Sequence, residues 1–150
     1  MKRIIIILTA VTLLLSVCVG CENSTDKPVL SPEEIYERII EEVDLPIMLD
    51  ISESRLDEYN VEPDNAVSFI AKEAAISAIF VQLIIIEAKD GKVGAVRDAM
   101  SEHQARLKDD AFYPQGRQAA AASIVGTIGN LVYLICDENA QEVEKIIKES

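Results

Sequence analysis

Ile79-Phe80-Val81-Gln82-Leu83-Ile84-Ile85-Ile86 decides how this chain folds. The run is β-branched and aromatic, with Gln82 its one polar side chain, and it is too short for a membrane span. Such a run reads as a strand buried in a sheet. Both alternating sets are apolar: Ile79, Val81, Leu83 and Ile85 on one face, Phe80, Ile84 and Ile86 on the other. A half-solvated antiparallel sheet alternates apolar with polar, so this strand predicts a sheet covered on both faces. The competing reading is a single helix through 66–88. The alternation of Val67, Phe69 and Ala71 favours a strand there, and Lys72, Glu73, Gln82 and Glu87 oppose a span.

Working toward the C-terminus, Lys89-Asp90-Gly91-Lys92 is a tight turn. A helix is predicted from Val93 to about Asp109, with Val93, Val96, Met100 and Leu107 on its inner stripe and His103 on or beside it. Phe112-Tyr113-Pro114 ends that segment, and Gln115–Ala119 reads as a loop. Ser123–Ile128 and Leu131–Cys136 bracket Gly129-Asn130, the signature of a hairpin. Leu131, Tyr133 and Ile135 oppose Val132, Leu134 and Cys136, again apolar on both sides. A last helix runs from about Ala140, with Asn139 as cap, Glu142 at the capping-box position, and Val143, Ile146 and Ile147 as its stripe.

Toward the N-terminus, Ser31, Pro32 and Glu34 open a helix with a capping box, and Ile35, Ile39, Ile40 and Val43 form its apolar face. Leu45-Pro46 stops it. A shorter helix follows from Ser52 to Asn60, with Ile51 and Leu56 at staple spacing, and Pro63-Asp64-Asn65 is a turn. The expectation is an α+β fold. It has an antiparallel sheet of three to four strands, two long helices (93–109 and 140–149) on one face, and an N-terminal helical pair on the other. That pair would act through Ile35, Ile39, Leu56 and Tyr59, the alternative cover of that face being another protein.

Residues 1–20 have the form of a lipoprotein signal peptide: Lys2 and Arg3, then an apolar core from Ile4 to Leu15, then Ser16 to Gly20. The end resembles a bacterial lipobox, with Gly20 before Cys21 as the acylated residue and Cys18 as the fallback. Two acyl chains suffice for stable anchoring. The expected organisation is a signal peptide at 1–20, a lipid-anchored polar tether at 21–30 and one α+β domain at 31–150. With Cys21 acylated, only Cys136 stays a thiol and no internal disulfide forms. Cys136 lies in an apolar run and reads as a small buried hydrophobe.

The chain carries 14 Lys and Arg against 26 Asp and Glu, a net charge of -12, and loss of Lys2 and Arg3 makes the remaining body two charges more negative still. That excludes nucleic acid as a partner, since phosphate binding is supplied by cations. His103 is the only His and there is no Trp. A lone helix-face imidazole is a poor metal site, and Glu102, Arg106 and Asp98 are the groups placed to orient it. No Gly-x-Ser-x-Gly, Cys–His pairing, calcium-loop spacing or Walker loop occurs, so no catalytic, cofactor or metal residues are assigned. The acid clusters Glu41/Glu42/Asp44, Asp57/Glu58, Asp109/Asp110 and Asp137/Glu138 read first as solvated faces.

The order of Asp44-Leu45-Pro46, Ile86-Glu87-Ala88-Lys89-Asp90-Gly91-Lys92-Val93, Tyr113-Pro114 and Gly129-Asn130-Leu131-Val132-Tyr133-Leu134 resembles the DUF4358 family of small Gram-positive, mostly clostridial, lipoproteins. The resemblance spans most of 31–149. The family commonly has an acid where this chain has Gln82. The resemblance implies a compartment, the extracytoplasmic face of the membrane, and a fold, but no activity. The functional expectation is a non-enzymatic protein- or ligand-binding domain at the cell envelope. It would be held to the membrane through diacylglycerol on Cys21 and would engage a protein partner or a second copy of itself. The alternative is an envelope enzyme with a carboxylate-based site.

Overall fold

The computed structural model describes residues 30–150. Helix α1 (Pro32–Glu42) leads into β1 (Met48–Asp50), 3-10 turns at Glu53–Tyr59 and Pro63–Asn65, β2 (Ala66–Ala74), a 3-10 turn at Ser77–Ile79, and β3 (Gln82–Ala88). Then follow α2 (Val93–Asp110), α3 (Pro114–Ala122), the hairpin β4 (Ile124–Ile128) and β5 (Leu131–Cys136), and α4 (Ala140–Glu149). The strands form one five-stranded antiparallel sheet in the order β1-β2-β3-β5-β4. The fold is α+β. β5 lies between β3 and β4, so those two strands run parallel, and α2 and α3 form the crossover that joins them.

Two-sided burial follows from the alternation. Ile84, Ile86, Val132, Leu134 and Cys136 face a core with Val96, Met100 and Leu107 of α2, Ala119 and Ala120 of α3, and Leu56 and Tyr59 of the 3-10 turn. Leu83, Ile85, Leu131, Tyr133 and Ile135 face a second core with Ile35, Ile39 and Val43 of α1 and Ala140, Val143, Ile146 and Ile147 of α4. Each fully buried Ile or Leu stabilises by about 1.5–3 kcal/mol relative to exposure. The all-apolar β5, buried at every position, is therefore the centre of the fold.

The allocation of helices differs from the sequence expectation. The long helices 93–110 and 140–149 lie on opposite faces, and the N-terminal pair is split between them. The crossover already fills one face with α2 and α3, which leaves the other for the helix after β5. α1 joins α4 there, with Arg38 Nη1 donating to Ser150 Oγ at 3.0 Å.

The sheet has five strands rather than the expected three or four, the additional strand being β1. It has one pairing partner and a three-residue Met-Leu-Asp sequence without a periodic signal. β3 starts at Gln82, not Ile79: Phe80 takes a left-handed backbone (φ +60°) and breaks the strand before it. Residues 53–59 form a 3-10 helix rather than an α-helix, closed by left-handed Asn60. Residues 115–119, expected as loop, lie inside α3, with Pro114 in its first turn.

Other local readings match. The Ser31/Glu34 capping box is present. Gly91 has the positive φ of its turn (+75°). Gly129 at +57°, followed by Asn130 without a positive φ, fits the II′ hairpin turn between Ile128 and Leu131. The α4 start differs: Asn139 makes no side-chain cap, and instead its N–H donates to Asp137 Oδ1 at 2.7 Å.

Candidate functional site

The topology gathers most connections at one end of the sheet. There β2 passes into β3 through residues 75–81, and β5 passes into α4 through Asp137-Glu138-Asn139. α1 passes into β1 through residues 43–47, and α2 passes into α3 through Ala111-Phe112-Tyr113. A cleft of about 210 Å³ opens between these segments, lined by Asp44, Pro46, Ile79, Val81, Gln115, Gln118 and Asp137–Asn139. Asp137 is 5% exposed. Burial pushes its carboxyl above the usual range, opposed by the bond from the Asn139 N–H. Two acid clusters that are far apart in sequence, Asp44 and Asp137/Glu138, thus meet on one cleft. Sequence spacing alone gave no sign of that meeting.

The same end carries exposed apolar surface. Of the large apolar side chains left exposed among the described residues, Ile40, Ile47, Leu49, Ile76, Phe112 and Tyr113 belong to it, and only Val67 lies elsewhere. Ile47 and Phe112 are each 81% exposed. Phe112 and Tyr113 stack edge to face at 5.5 Å. Acids outnumber the cations Lys108 and Arg117 on the neighbouring helices α2 and α3. Among the described residues, no ion pair engages Glu41, Glu42, Asp44, Asp109, Asp110, Asp137 or Glu138.

His103 is buried on the inner stripe of α2. Its Nε2 lies 2.8 Å from Gln82 Oε1 and its Nδ1 3.5 Å from Arg106 Nη2. The Tyr59 ring stands edge-on at 4.5 Å. Burial, then the Arg106 charge, lowers its pKa to about 4. Of the neighbours expected from sequence, Arg106 reaches the ring, Glu102 binds Arg106 at 3.8 Å, and Asp98 pairs with Arg97 instead. Nearby, Arg55 bonds Glu73 at 2.6 Å, and burial followed by the Glu73 charge raises the Tyr59 hydroxyl to about 12. This network joins the 3-10 turn to β2 and α2, and it satisfies its own polar atoms. Among the described residues no buried side-chain N or O lacks a partner.

Cys136 is fully buried, its Sγ donating to the Phe80 carbonyl oxygen at 3.0 Å. Burial first, then Asp137, pushes the thiol up to about 12. Such a thiol is a packing group, not a nucleophile. Cys21 and Cys18, the expected lipid-attachment residues, lie outside the described residues, as does the signal segment. Among the described residues no helix is long and apolar enough to cross a membrane, and no group of three His, Cys, Asp or Glu could hold a metal ion.

An antiparallel sheet domain with one acidic, apolar-studded end is thus the class that fold and site define. Residues 41–137 match the family model described as a domain of unknown function, DUF4358, and the chain belongs to that family. The matched span holds all five strands with α2 and α3, while α1 and α4, the cover of the second face, fall mostly outside it. No curated protein and no solved structure matches the chain.

Proposed function

We propose that the chain is an extracytoplasmic lipoprotein, anchored through diacylglycerol on Cys21, whose body docks a protein partner at the Asp137 end of the sheet. The observation that carries the docking is the gathering of Ile40, Ile47, Leu49, Ile76, Phe112 and Tyr113 at one end of an otherwise closed fold. Exposed apolar side chains scattered singly need no explanation, but their concentration beside acids marks an interaction surface. The anchoring rests on the charged start, the apolar core and Gly20-Cys21.

The Asp137 cleft is the feature that speaks for an enzyme, since a buried carboxyl of raised pKa suits proton transfer. Against that, Asp137 accepts the Asn139 N–H at the start of α4. The cleft is also below the roughly 300–1,000 Å³ of small-molecule sites. Docking is the better supported reading.

The test is site-specific photocrosslinking in the native membrane. A photoreactive residue at Ile76 or Phe112 should give discrete protein adducts, and one at Asp64, at the opposite end, should give none. Adducts of equal yield at all three positions, or none at any, would refute the docking. For the anchor, Cys21→Ser should leave the precursor unprocessed or release the protein to the soluble fraction. If Cys18→Ser does so and Cys21→Ser does not, the acylated residue is Cys18.

A further inference from the structure

We infer that the docked partner adds an extended segment to the open edge of β1, and that this segment alternates apolar side chains with Lys or Arg. The inference rests on the docking reading above. β1 is the last strand on its side of the sheet. Ala75 N–H donates to Ile47 O and Ile51 N–H donates to Ala71 O, both at 2.8 Å, so the odd-numbered residues bond inward to β2. The alternation of an antiparallel ladder then directs the backbone N–H and C=O of Met48 and Asp50 away from the sheet. Among the described residues no strand lies beyond them. Natural edges are commonly blunted by charge, proline or a covering element. Here the one charge on β1, Asp50, is paired with Lys72.

A depression flanks the strand on each face. One, of about 410 Å³, is lined in part by Tyr36, Ile40 and Met48. The other, of about 320 Å³, is lined in part by Leu49, Ile76 and Phe80. Successive side chains of an added strand point to opposite faces, so they would enter the two depressions by turns. Charge identifies the occupant. Glu41, Glu42 and Asp44 also line the first depression, and among the described residues no ion pair engages them. A second copy of the chain would bring the same acids, and anionic lipid headgroups the same sign, so both are disfavoured against a basic segment.

The experiment is fluorescence anisotropy of the full-length chain in detergent with a labelled nine-residue peptide of alternating valine and lysine. Two control peptides carry glutamate in place of lysine, or N-methyl groups on alternate amides. The valine–lysine peptide should bind saturably and weaken with added salt. Both controls should bind at least about tenfold more weakly. Met48→Pro removes one outward N–H and leaves the pairing to β2 intact, and it should weaken the peptide by a similar factor. Glu41→Lys with Asp44→Lys should shift preference toward the glutamate peptide.

Should Met48→Pro fail to fold, the N-methylated peptide decides the backbone question alone. Equal binding of all three peptides, no saturable binding, or association of the chain with itself in place of the peptide would overturn the inference. If photocrosslinks from Ile76 and Phe112 persist while the peptide does not bind, docking stands and strand addition falls. If the crosslinks are absent too, both fall.

Discussion

Nε2 of His103 sits 2.8 Å from the amide oxygen of Gln82, so the chain's only imidazole is bonded to the one polar side chain of the Ile79–Ile86 run. The guanidinium of Arg106 can only donate. With Arg106 Nη2 at Nδ1, the proton belongs on Nε2 and is given to Gln82. The ring is held neutral, its pKa lowered to about 4 by burial and by Arg106.

Stability should therefore fall in acid through this group. An unfolded His titrates near 6.5. Between about 6.5 and 4 the unfolded chain binds the proton that the folded chain refuses, so unfolding is favoured as pH drops. The contribution is complete above 6.5 and diminishes toward 4, by on the order of 2–3 kcal/mol. Urea unfolding of wild type and His103→Gln across this range should show the steeper loss in wild type. Parallel profiles would rule out the neutral ring.

Gln82→Glu should reverse the shift. A carboxylate at the same distance favours the imidazolium and should raise the His103 pKa by about one to three pH units. Titration of the ring proton resonances reads this directly. A ring that still titrates near 4 would mean that His103 and residue 82 do not touch.

Gly126 stands opposite Tyr133 in the β4–β5 ladder, and the ring of Tyr133 occupies the place of a β-carbon at 126. The ring is fixed at its other end, where its hydroxyl donates to Glu144 Oε1 of α4 at 3.0 Å. Gly126→Ala should cost about 1–3 kcal/mol by overpacking. Gly126→Ala combined with Tyr133→Leu should lose less than the sum of the two single changes, because the collision partner is gone. Strict additivity in chemical denaturation would contradict the contact.

Cys136 should be inert in the folded chain. In a Cys18→Ser/Cys21→Ser background, a thiol reagent at mildly alkaline pH should fail to label the native protein and should label it fully in concentrated guanidinium chloride. Rapid native labelling would place Cys136 at the surface and contradict its burial against Phe80.

Strand β3, the hairpin and the double-sided core were legible because each rests on periodicity, and β5 carries its two apolar sets without interruption. The α1 capping box was legible as a local motif. What failed to show was set by tertiary contact. Phe80 has the backbone of a turn residue, yet nothing in an apolar run marks a Phe for φ > 0. Its ring lies only 3.0 Å from where a β-carbon on Gly116 would stand, which also accounts for a glycine in the first turns of α3. β1 is too short to have a period. The candidate site was hidden for a related reason: Ile47, Leu49, Ile76 and Phe112 are unremarkable singly, and only the topology assembles them.

α1 runs toward the Asp137 end and α4 runs away from it, since Asp44 and Pro46 after the first share a cleft with Asp137–Asn139 before the second. Both ends of the described chain, Leu30 and Ser150, therefore lie on the side away from that end. That gives the domain a stem and a crown. Under the proposed anchoring the membrane holds the stem, and the open β1 edge is presented outward on the crown. A partner could then reach it from the wall side without displacing lipid, and the fold would act as a spacer that sets the height of its own docking edge above the bilayer.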